Sequence, residues 1–191
     1  MANLLNAGCG TWYADGWINT DVWEDENTKP DLVVKSGEPY PFPDNHFDAI
    51  FLGHVLEHID WDDVPVFLMD MKRIVKPEAP ILVVGPDVVK TIKLWAEGKE
   101  PWHMVLSTME HADINYQPNR EAEWWDGAAH KWNCHEERLK ALFHALDFSW
   151  EDIYHEIPND PSQKSWYDPA TNITWPVVGK HHWQCAFRIY A

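Results

Sequence analysis

The chain has 191 residues, of which 45% are hydrophobic, so we expect a single domain over residues 1–191 with a substantial core. Its 31 acidic and 15 basic residues give a net charge of −16, which disfavours nucleic acid as a partner because phosphate binding depends on Lys and Arg. No window approaches the roughly 18 uncharged apolar residues of a transmembrane helix, so we expect no membrane partner.

Cysteine usage and the N-terminal sequence predict a cytoplasmic protein. The three cysteines, Cys9, Cys134 and Cys185, are odd in number and far apart, so neither a disulfide framework nor a paired Cys-x-x-Cys zinc site is indicated. The first residues, MANLLNAGCG, lack the basic region and the long apolar run of a signal peptide. We therefore expect a reducing environment.

The first two predicted strands carry a pattern typical of nucleoside binding. Leu4–Ala7 is followed at once by Gly8-Cys9-Gly10, and Trp17–Val22 contains Asp21 near its end. Glycines after a strand let the backbone approach a ligand closely. An acid at the tip of the next strand can accept both hydroxyls of a ribose. Together these residues predict a nucleoside site at the carboxyl edge of a parallel sheet.

The connection between these two strands is unusually short. Only residues 11–16 separate Gly10 from the second apolar run, whereas a parallel crossover usually needs about a dozen residues or more. We therefore expect the first helix to be reduced to a turn or loop. This departs from the dinucleotide-binding fold, in which a third glycine would also stand near Tyr13.

The remaining elements follow from apolar runs and helical spacing. Asp60 or Asp62 can cap a helix that Pro77 stops, and Gly98 ends another helix over Val88–Glu97. A capping box is expected at Asn133 and Glu136. The other predicted elements are strands at Asp31–Val34, Phe47–Leu52 and Ile81–Val84, a helix at Pro101–Glu110, an insertion or lid at Asp113–Trp132, a strand pair at Phe148–Ile157 and Trp183–Tyr190, and a long loop over Asn159–Lys180.

Candidate functional residues recur where the predicted parallel strands end, which is where ligands of such sheets bind. They are Gly8-Cys9-Gly10, Asp21, Ser36-Gly37, Gly53-His54 and Asp87.

The motifs LLNAGCG, GWINTDV, YPFPDNHFDAIFLGHVLEHI and MKRIVKPEAPILVVGPD resemble those of class I S-adenosylmethionine-dependent methyltransferases, especially short members related to methyltransferase type 11. The resemblance covers Leu4 to about Trp95 and resumes at His130–Trp132 and Glu136–Phe148. It implies a Rossmann-like α/β fold whose mostly parallel sheet has an antiparallel C-terminal strand and a shortened first crossover. It also implies a cofactor-binding half over residues 1–98 and a substrate or lid half over residues 99–191.

The resemblance implies S-adenosylmethionine as the cofactor and assigns residues to its parts. The methionine part would lie along the backbone of Ala7, Gly8, Cys9 and Gly10, and the ribose would bind Asp21. The adenine would lie near Ser36 and Gly37, and the sulfonium near Gly53 and His54. Many relatives carry an acid for the adenine amine where this chain has Ser36, so adenine recognition would rest on backbone groups.

The implied reaction is methyl transfer to a hydroxyl of a small molecule or glycan. A hydroxyl acceptor calls for a general base, which is most often His. His130 is the first candidate and His54 the second, followed by His58 and Asp87. Two of these residues have a structural alternative, because Asp87 can cap the helix at Val88 and His58 can pack against the loop before Asp60.

Three other functions fit parts of the sequence. The segment His54-x-x-Glu57-His58 matches an inverted zinc-peptidase motif, but it connects a strand to a helix, so its two imidazoles need not converge and we expect no metal site. A non-catalytic binding or assembly protein is the main alternative, motivated by Ser36 and the short crossover. Nicotinamide-dependent reduction fits less well, because the third glycine is absent and Asp21 comes too early.

Overall fold

The computed structural model describes residues 2–110, 130–160, 163–176 and 181–191. The strands are β1 (Leu4–Ala7), β2 (Ile18–Asp21), β3 (Leu32–Val33), β4 (Ala49–Gly53), β5 (Pro80–Pro86), β6 (Ser149–Asp152), β7 (Trp166–Asp168), β8 (Ile173–Trp175) and β9 (Gln184–Tyr190). The α-helices are α1 (Val64–Ile74), α2 (Val88–Ala96), α3 (Trp102–Glu110) and α4 (Glu136–Ala145), and a 3₁₀ helix spans Leu56–His58. No helix in these ranges is long and apolar enough to cross a membrane.

Seven strands form one sheet in the order β3-β2-β1-β4-β5-β9-β6. The strands from β3 to β5 pair in parallel, whereas β9 runs antiparallel between β5 and β6. The prediction of a mostly parallel α/β sheet with an antiparallel C-terminal strand is therefore confirmed. Because β6 and β9 come from the second half of the chain, both halves contribute to the same sheet.

Two asparagines support the short connection between β1 and β2. Asn6 and Asn19 lie opposite each other in this parallel pair, and both are buried. The Asn6 Nδ2 donates to Asn19 Oδ1 at 2.9 Å and to the carbonyl of Trp12, in the connection itself, at 2.8 Å. The connection contains turns but no helix, as expected. Buried amide hydrogen bonds thus hold in place a segment that would otherwise leave polar backbone groups unsatisfied.

The sheet has an apolar core on each face because successive side chains of a buried strand point to opposite sides. In β4, Ile50 and Leu52 pack in the cluster that contains Leu68 of α1. The alternate residue Phe51 packs on the other face, in the cluster that contains Trp175 of β8. A helix therefore covers one face at this point and residues of the C-terminal region cover the other.

The predicted loop over Asn159–Lys180 is corrected by the structure, which forms a β-hairpin from β7 and β8 within it. Trp166 lies opposite Trp175, both are buried, and the ring of Trp175 lies 5.6 Å from that of Trp17. Strands of three residues are too short to show an alternating pattern, so tertiary packing rather than local sequence determines this hairpin.

Two predicted helix caps also differ. Helix α1 begins after Asp63, whose side chain makes no capping hydrogen bond, rather than at Asp60 or Asp62. Helix α4 begins after His135, whose ring accepts from the backbone N–H of Arg138, rather than at Asn133. The predicted helix existed in both cases, but several polar residues competed for the first position.

Candidate active site

A cavity of about 440 Å³ opens at the carboxyl ends of β1, β4 and β5. Its size lies within the range of about 300–1,000 Å³ that is typical of small-molecule sites. Residues that are far apart in the sequence form its wall: Asn6, Gly8, Cys9, Gly10, Thr11, Trp12, Phe51, Gly53, His54, His58, Val84, His130, Pro176, His181, Trp183 and Gln184.

The loop after β1 forms one side of the cavity. Gly8 and Gly10 have φ values of 66° and 50°, in the left-handed region that glycine adopts most easily. The N–H of Gly10 donates to Asp21 Oδ2 at 2.7 Å, and the N–H of Cys9 donates to the carbonyl of Thr20 at 2.9 Å. These hydrogen bonds hold the loop against the end of β2. Because glycine has no side chain, the backbone at Gly8 and Gly10 lines the cavity directly.

The carboxylate of Asp21 organises the edge of the sheet. Besides Gly10, it accepts a hydrogen bond from the backbone N–H of Trp23 at 3.1 Å. A carboxylate can accept about four hydrogen bonds, so Asp21 retains capacity for a ligand. Asp21 does not contribute to the cavity wall, and Ser36 and Gly37 lie exposed in the turn beyond β3. Asp21 thus adjoins the cavity through its hydrogen bond with Gly10, whereas Ser36 and Gly37 lie outside the cavity wall.

Cys9 is a packing residue within this loop. Its side chain is buried, and burial, reinforced by the charge of Asp21, raises the pKa of its thiol to about 12. Since only the thiolate is a good nucleophile, the thiol of Cys9 is unreactive at neutral pH. Ala7, the last residue of β1, is also fully buried and supports the loop from beneath.

A hydrogen-bond chain fixes the orientation of His54. Gln184 Oε1 accepts from the backbone N–H of His181, which turns the Gln184 amide nitrogen toward His54 Nε2 at 2.7 Å. Neutral His54 then carries its proton on Nδ1 and donates it to Glu57 Oε1 at 3.0 Å. Both ring nitrogens are engaged, so His54 is better suited to position Glu57 than to act as a base. Gln184 was not predicted as a site residue, because 130 residues separate it from His54.

Glu57 is buried beneath the cavity among imidazoles. Burial alone would raise its pKa, but the hydrogen bond from His54 and the charge that His54, His58 and His130 carry when protonated outweigh burial and lower the pKa of Glu57. The carboxylate is therefore ionised at neutral pH. Of the residues in the His54-x-x-Glu57-His58 segment, His54 contacts both Glu57 and Gln184, and His58 lies in the 3₁₀ helix.

His130 reaches the cavity from the second half of the chain. Its Nδ1 donates to the carbonyl of Thr108 in α3 at 2.9 Å, and its ring lies 5.0 Å from that of His58. The neighbouring Trp132 donates from its indole to the carbonyl of Leu56 at 2.9 Å. In neutral His130 the proton therefore lies on Nδ1, so Nε2 is the basic nitrogen of the ring. The structure brings His54, His58 and His130 together in one cavity wall.

Asp87, the remaining candidate base, is not among the described residues that line the cavity with the three histidines. Its carboxylate accepts from the backbone N–H of Lys90 at 2.9 Å and from that of Glu136 at 3.3 Å. Asp87 therefore caps α2 and also binds the first turn of α4. Of its two predicted roles, helix capping is the one that the geometry supports.

Comparison with known proteins points to one class of enzyme. Residues 18–83 match the family model described as a methyltransferase domain. No curated protein sequence matches the chain.

Several solved structures share the whole fold at low sequence identity. An S-adenosylmethionine-dependent methyltransferase from Archaeoglobus fulgidus is 17% identical, with a TM-score of 0.52 over 100% of this chain and 86% of that one. A possible histamine N-methyltransferase from Thermotoga maritima is 13% identical, with a TM-score of 0.53 over 100% and 82%. The 1,6-didemethyltoxoflavin-N1-methyltransferase of Burkholderia thailandensis, solved with S-adenosylhomocysteine, is 11% identical, with a TM-score of 0.52 over 100% and 71%.

The strand order, the strand-end glycine loop and these matches agree with one another, and they confirm the resemblance predicted from the sequence. The chain has the class I fold that these S-adenosylmethionine-dependent methyltransferases share, and residues 18–83 match a methyltransferase domain.

Proposed function

We propose that the chain is a cytoplasmic enzyme that methylates a hydroxyl of a small molecule or glycan with S-adenosylmethionine. The observation that carries this proposal is the composition of the cavity wall. The glycine loop after β1 and the imidazoles of His54, His58 and His130 line the same cavity of about 440 Å³. A cofactor loop and candidate acid–base groups thus lie within reach of one bound acceptor.

The residues present are suited to the cofactor. Gly8 and Gly10 expose backbone to the cavity, and Asp21 keeps acceptor capacity for hydroxyl groups at the adjoining edge. We assign the methionine part to Ala7, Gly8, Cys9 and Gly10, the ribose to Asp21, the adenine to Ser36 and Gly37, and the sulfonium end to Gly53 and His54. The cofactor, when bound, supplies a methyl group on a positively charged sulfur.

The acceptor's proton needs a base, and we propose His130 for this role. The hydrogen bond from Nδ1 to the Thr108 carbonyl fixes the tautomer of the neutral ring, and His130 lines the same cavity as the glycine loop. Histidine is the side chain that enzymes most often use as a general base. Holding the acceptor hydroxyl in place should supply much of the rate, because orientation removes an entropic cost from the reaction.

The proposal can be tested first by binding and then by turnover. Calorimetry of the full chain with S-adenosylhomocysteine should show one saturable site. Incubation with S-adenosylmethionine and a panel of hydroxylated small molecules and glycans should then give a product 14 mass units heavier, about the mass of CH₂. Absence of nucleoside binding at millimolar ligand would remove the basis of the proposal.

We predict that Asp21→Ala weakens S-adenosylhomocysteine binding by about 10- to 150-fold. A hydrogen bond to a charged group contributes about 1.5–3 kcal/mol, and each 1.4 kcal/mol is tenfold in affinity. Asp62→Ala is the matched control, because Asp62 is exposed in the turn before α1 and does not line the cavity. Equal affinity of Asp21→Ala and the wild type would contradict the ribose assignment, provided that both melt cooperatively.

A non-catalytic binding protein is the second candidate. Both oxygens of Asp21 already accept hydrogen bonds from the backbone, and Ser36 stands where many relatives have an adenine-binding acid. This alternative predicts that the protein binds the nucleoside without transferring a methyl group to any member of the acceptor panel. Turnover that is lost in His130→Ala but not in Asp62→Ala would exclude it.

A further inference from the structure

Three potential metal ligands converge at the wall of the cavity, with His58 and His130 in its lining and Glu57 beneath it. One ligand atom from each of Glu57, His58 and His130 lies within 4.8 Å of the others. Glu57 is only 1% exposed, whereas His58 and His130 are half-buried and line the cavity. A buried carboxylate faced by two imidazoles differs from an ordinary surface cluster of acids, because its negative charge is removed from water and calls for a positive partner.

The surrounding hydrogen bonds hold these ligands in a suitable state. His130 donates from Nδ1 to the Thr108 carbonyl at 2.9 Å, and Glu57 accepts from His54 at 3.0 Å. A second-shell hydrogen bond from the far nitrogen of an imidazole to a carbonyl is the usual way in which proteins orient a metal-binding His.

The backbone joins the two segments that carry the ligands. The N–H of Lys131 donates to the carbonyl of Glu57 at 2.7 Å, and the indole of Trp132 donates to the carbonyl of Leu56. The ligands from the strand-to-helix connection and from the second half of the chain are therefore held beside each other before any ion binds. Such preorganisation lowers the cost of binding.

We propose that Glu57, His58 and His130 bind one divalent first-row transition metal ion, such as Zn²⁺, with an open position toward the cavity. Two imidazoles and a carboxylate suit Zn²⁺ and its neighbours better than Mg²⁺ or Ca²⁺, which prefer oxygen ligands. Ligand atoms about 2.0–2.2 Å from a tetrahedral Zn²⁺ lie roughly 3.3–3.6 Å apart, so small side-chain rotations suffice to close the group around the ion.

The metal would refine the acid–base role proposed above, and this part of the inference rests on the proposed methyltransferase function. His130 would serve as a ligand in the metal-loaded protein and as the base only in the metal-free protein. In the loaded protein the ion would lower the pKa of an acceptor hydroxyl bound at the open position, as it does for bound water at zinc sites, and the proton would pass to solvent water. The cavity would thus take acceptors with a hydroxyl that can reach the ion.

Metal binding can be measured without cofactor or acceptor. The full chain is dialysed against a chelator and then titrated with Zn²⁺ alone by calorimetry, with Co²⁺ as a spectroscopic probe of the same site. We expect one ion per chain. Glu57→Gln, His58→Ala and His130→Ala should each weaken binding at least about 100-fold, whereas His54→Ala, which removes a second-shell partner, should weaken it about 10- to 100-fold.

His181→Ala is the matched control, because His181 lines the same cavity but lies outside the three-residue group. It should bind Zn²⁺ as the wild type does. Circular dichroism checks that each variant folds, and Zn²⁺ should raise the melting temperature of the wild type and of His181→Ala but not that of a His58→Ala/His130→Ala double variant.

The inference is overturned if the folded wild type binds no Zn²⁺, or if the double variant binds it as tightly as the wild type. These results are independent of the methyltransferase proposal. A protein that binds S-adenosylhomocysteine but no metal retains the proposed function and loses this site. A protein that binds Zn²⁺ through the three residues but binds no nucleoside retains the metal site and loses the proposed methyltransferase function.

Discussion

Asp168→Ala is expected to lower the free energy of unfolding by about 3 kcal/mol, because it removes the buried partner of Arg188. Asp168 is fully buried at the end of β7, and its Oδ2 accepts from Arg188 at 2.9 Å and from the indole of Trp175 at 3.3 Å. It also accepts from Thr171 and from the backbone of Ala170. The substitution leaves a buried guanidinium and a buried indole with a lost acceptor.

Two half-exposed acids limit this loss. Arg188 in β9 also donates to Glu151 at 2.6 Å and to Glu156 at 3.0 Å. Burial alone would lower the pKa of Arg188, but these hydrogen bonds and the charge of Asp168 outweigh it and raise that pKa, so the guanidinium stays charged. The expected loss therefore lies at the lower end of the range of about 3–5 kcal/mol that is usual for breaking a buried pair.

Thermal or urea unfolding at pH 7 measures this effect. For a chain of this size, about 3 kcal/mol corresponds to a fall of about 6–12 °C in melting temperature. Asp15→Ala is the control, because Asp15 is exposed in a turn, and it should change stability by no more than about 0.5 kcal/mol. Asp168→Asn should lie between wild type and Asp168→Ala. Equal midpoints for Asp168→Ala and Asp15→Ala would show that the ion pairs contribute nothing.

The same residue predicts a loss of stability in acid. Burial alone would raise the pKa of Asp168, but its hydrogen bonds from Thr171 and Ala170 and the charge of Arg188 outweigh burial and lower it. A carboxyl whose pKa is lower in the folded state stabilises the protein above its unfolded pKa, which is about 3.9 for Asp. This contribution disappears as the pH falls through the lower, folded value. The difference in unfolding free energy between wild type and Asp168→Asn should therefore shrink as the pH falls below about 4.

Gly8→Ala is expected to weaken S-adenosylhomocysteine binding at least about tenfold and to destabilise the fold by about 2–4 kcal/mol. A Cβ at position 8 would lie 2.6 Å from Cγ2 of Val55, and the φ of 66° is strained for alanine. Val55 directly precedes the 3₁₀ helix that carries Glu57 and His58. Displacing it would disturb the glycine loop and the imidazole cluster together.

Gly10→Ala separates backbone strain from collision. Gly10 also has a positive φ, but among the described residues no heavy atom beyond its chain neighbours lies within 4 Å of a Cβ built there. Only the backbone strain of about 1–2 kcal/mol is therefore expected. Gly8→Ala combined with Val55→Ala removes the collision and should recover part of the lost affinity. Calorimetry and melting curves of the three variants compare their affinities for S-adenosylhomocysteine and their stabilities. Gly8→Ala should show the largest loss of both. If Gly8→Ala binds S-adenosylhomocysteine as tightly as Gly10→Ala does, the collision with Val55 does not affect ligand binding.

The sequence by itself determined the central strands and the residues at their ends. β1, β4 and β5 are mostly apolar; β4 and β5 end in glycine and proline, and Gly8 directly follows β1. Such runs are typical of strands buried in a parallel sheet. The positions of Gly8, Asp21 and His54 at one edge follow from that pattern. The missing first helix was also predictable, because the number of residues between β1 and β2 is too small for one.

Only the tertiary structure decided which polar groups meet across the chain. His54 contacts Gln184 over 130 residues, and His130 reaches His58 from beyond α3. No local propensity encodes such contacts, because they depend on the placement of β9 beside β5 and on the path of the second half over the sheet edge. For the same reason only the packed chain determines the β7–β8 hairpin and the buried Asp168–Arg188 pair.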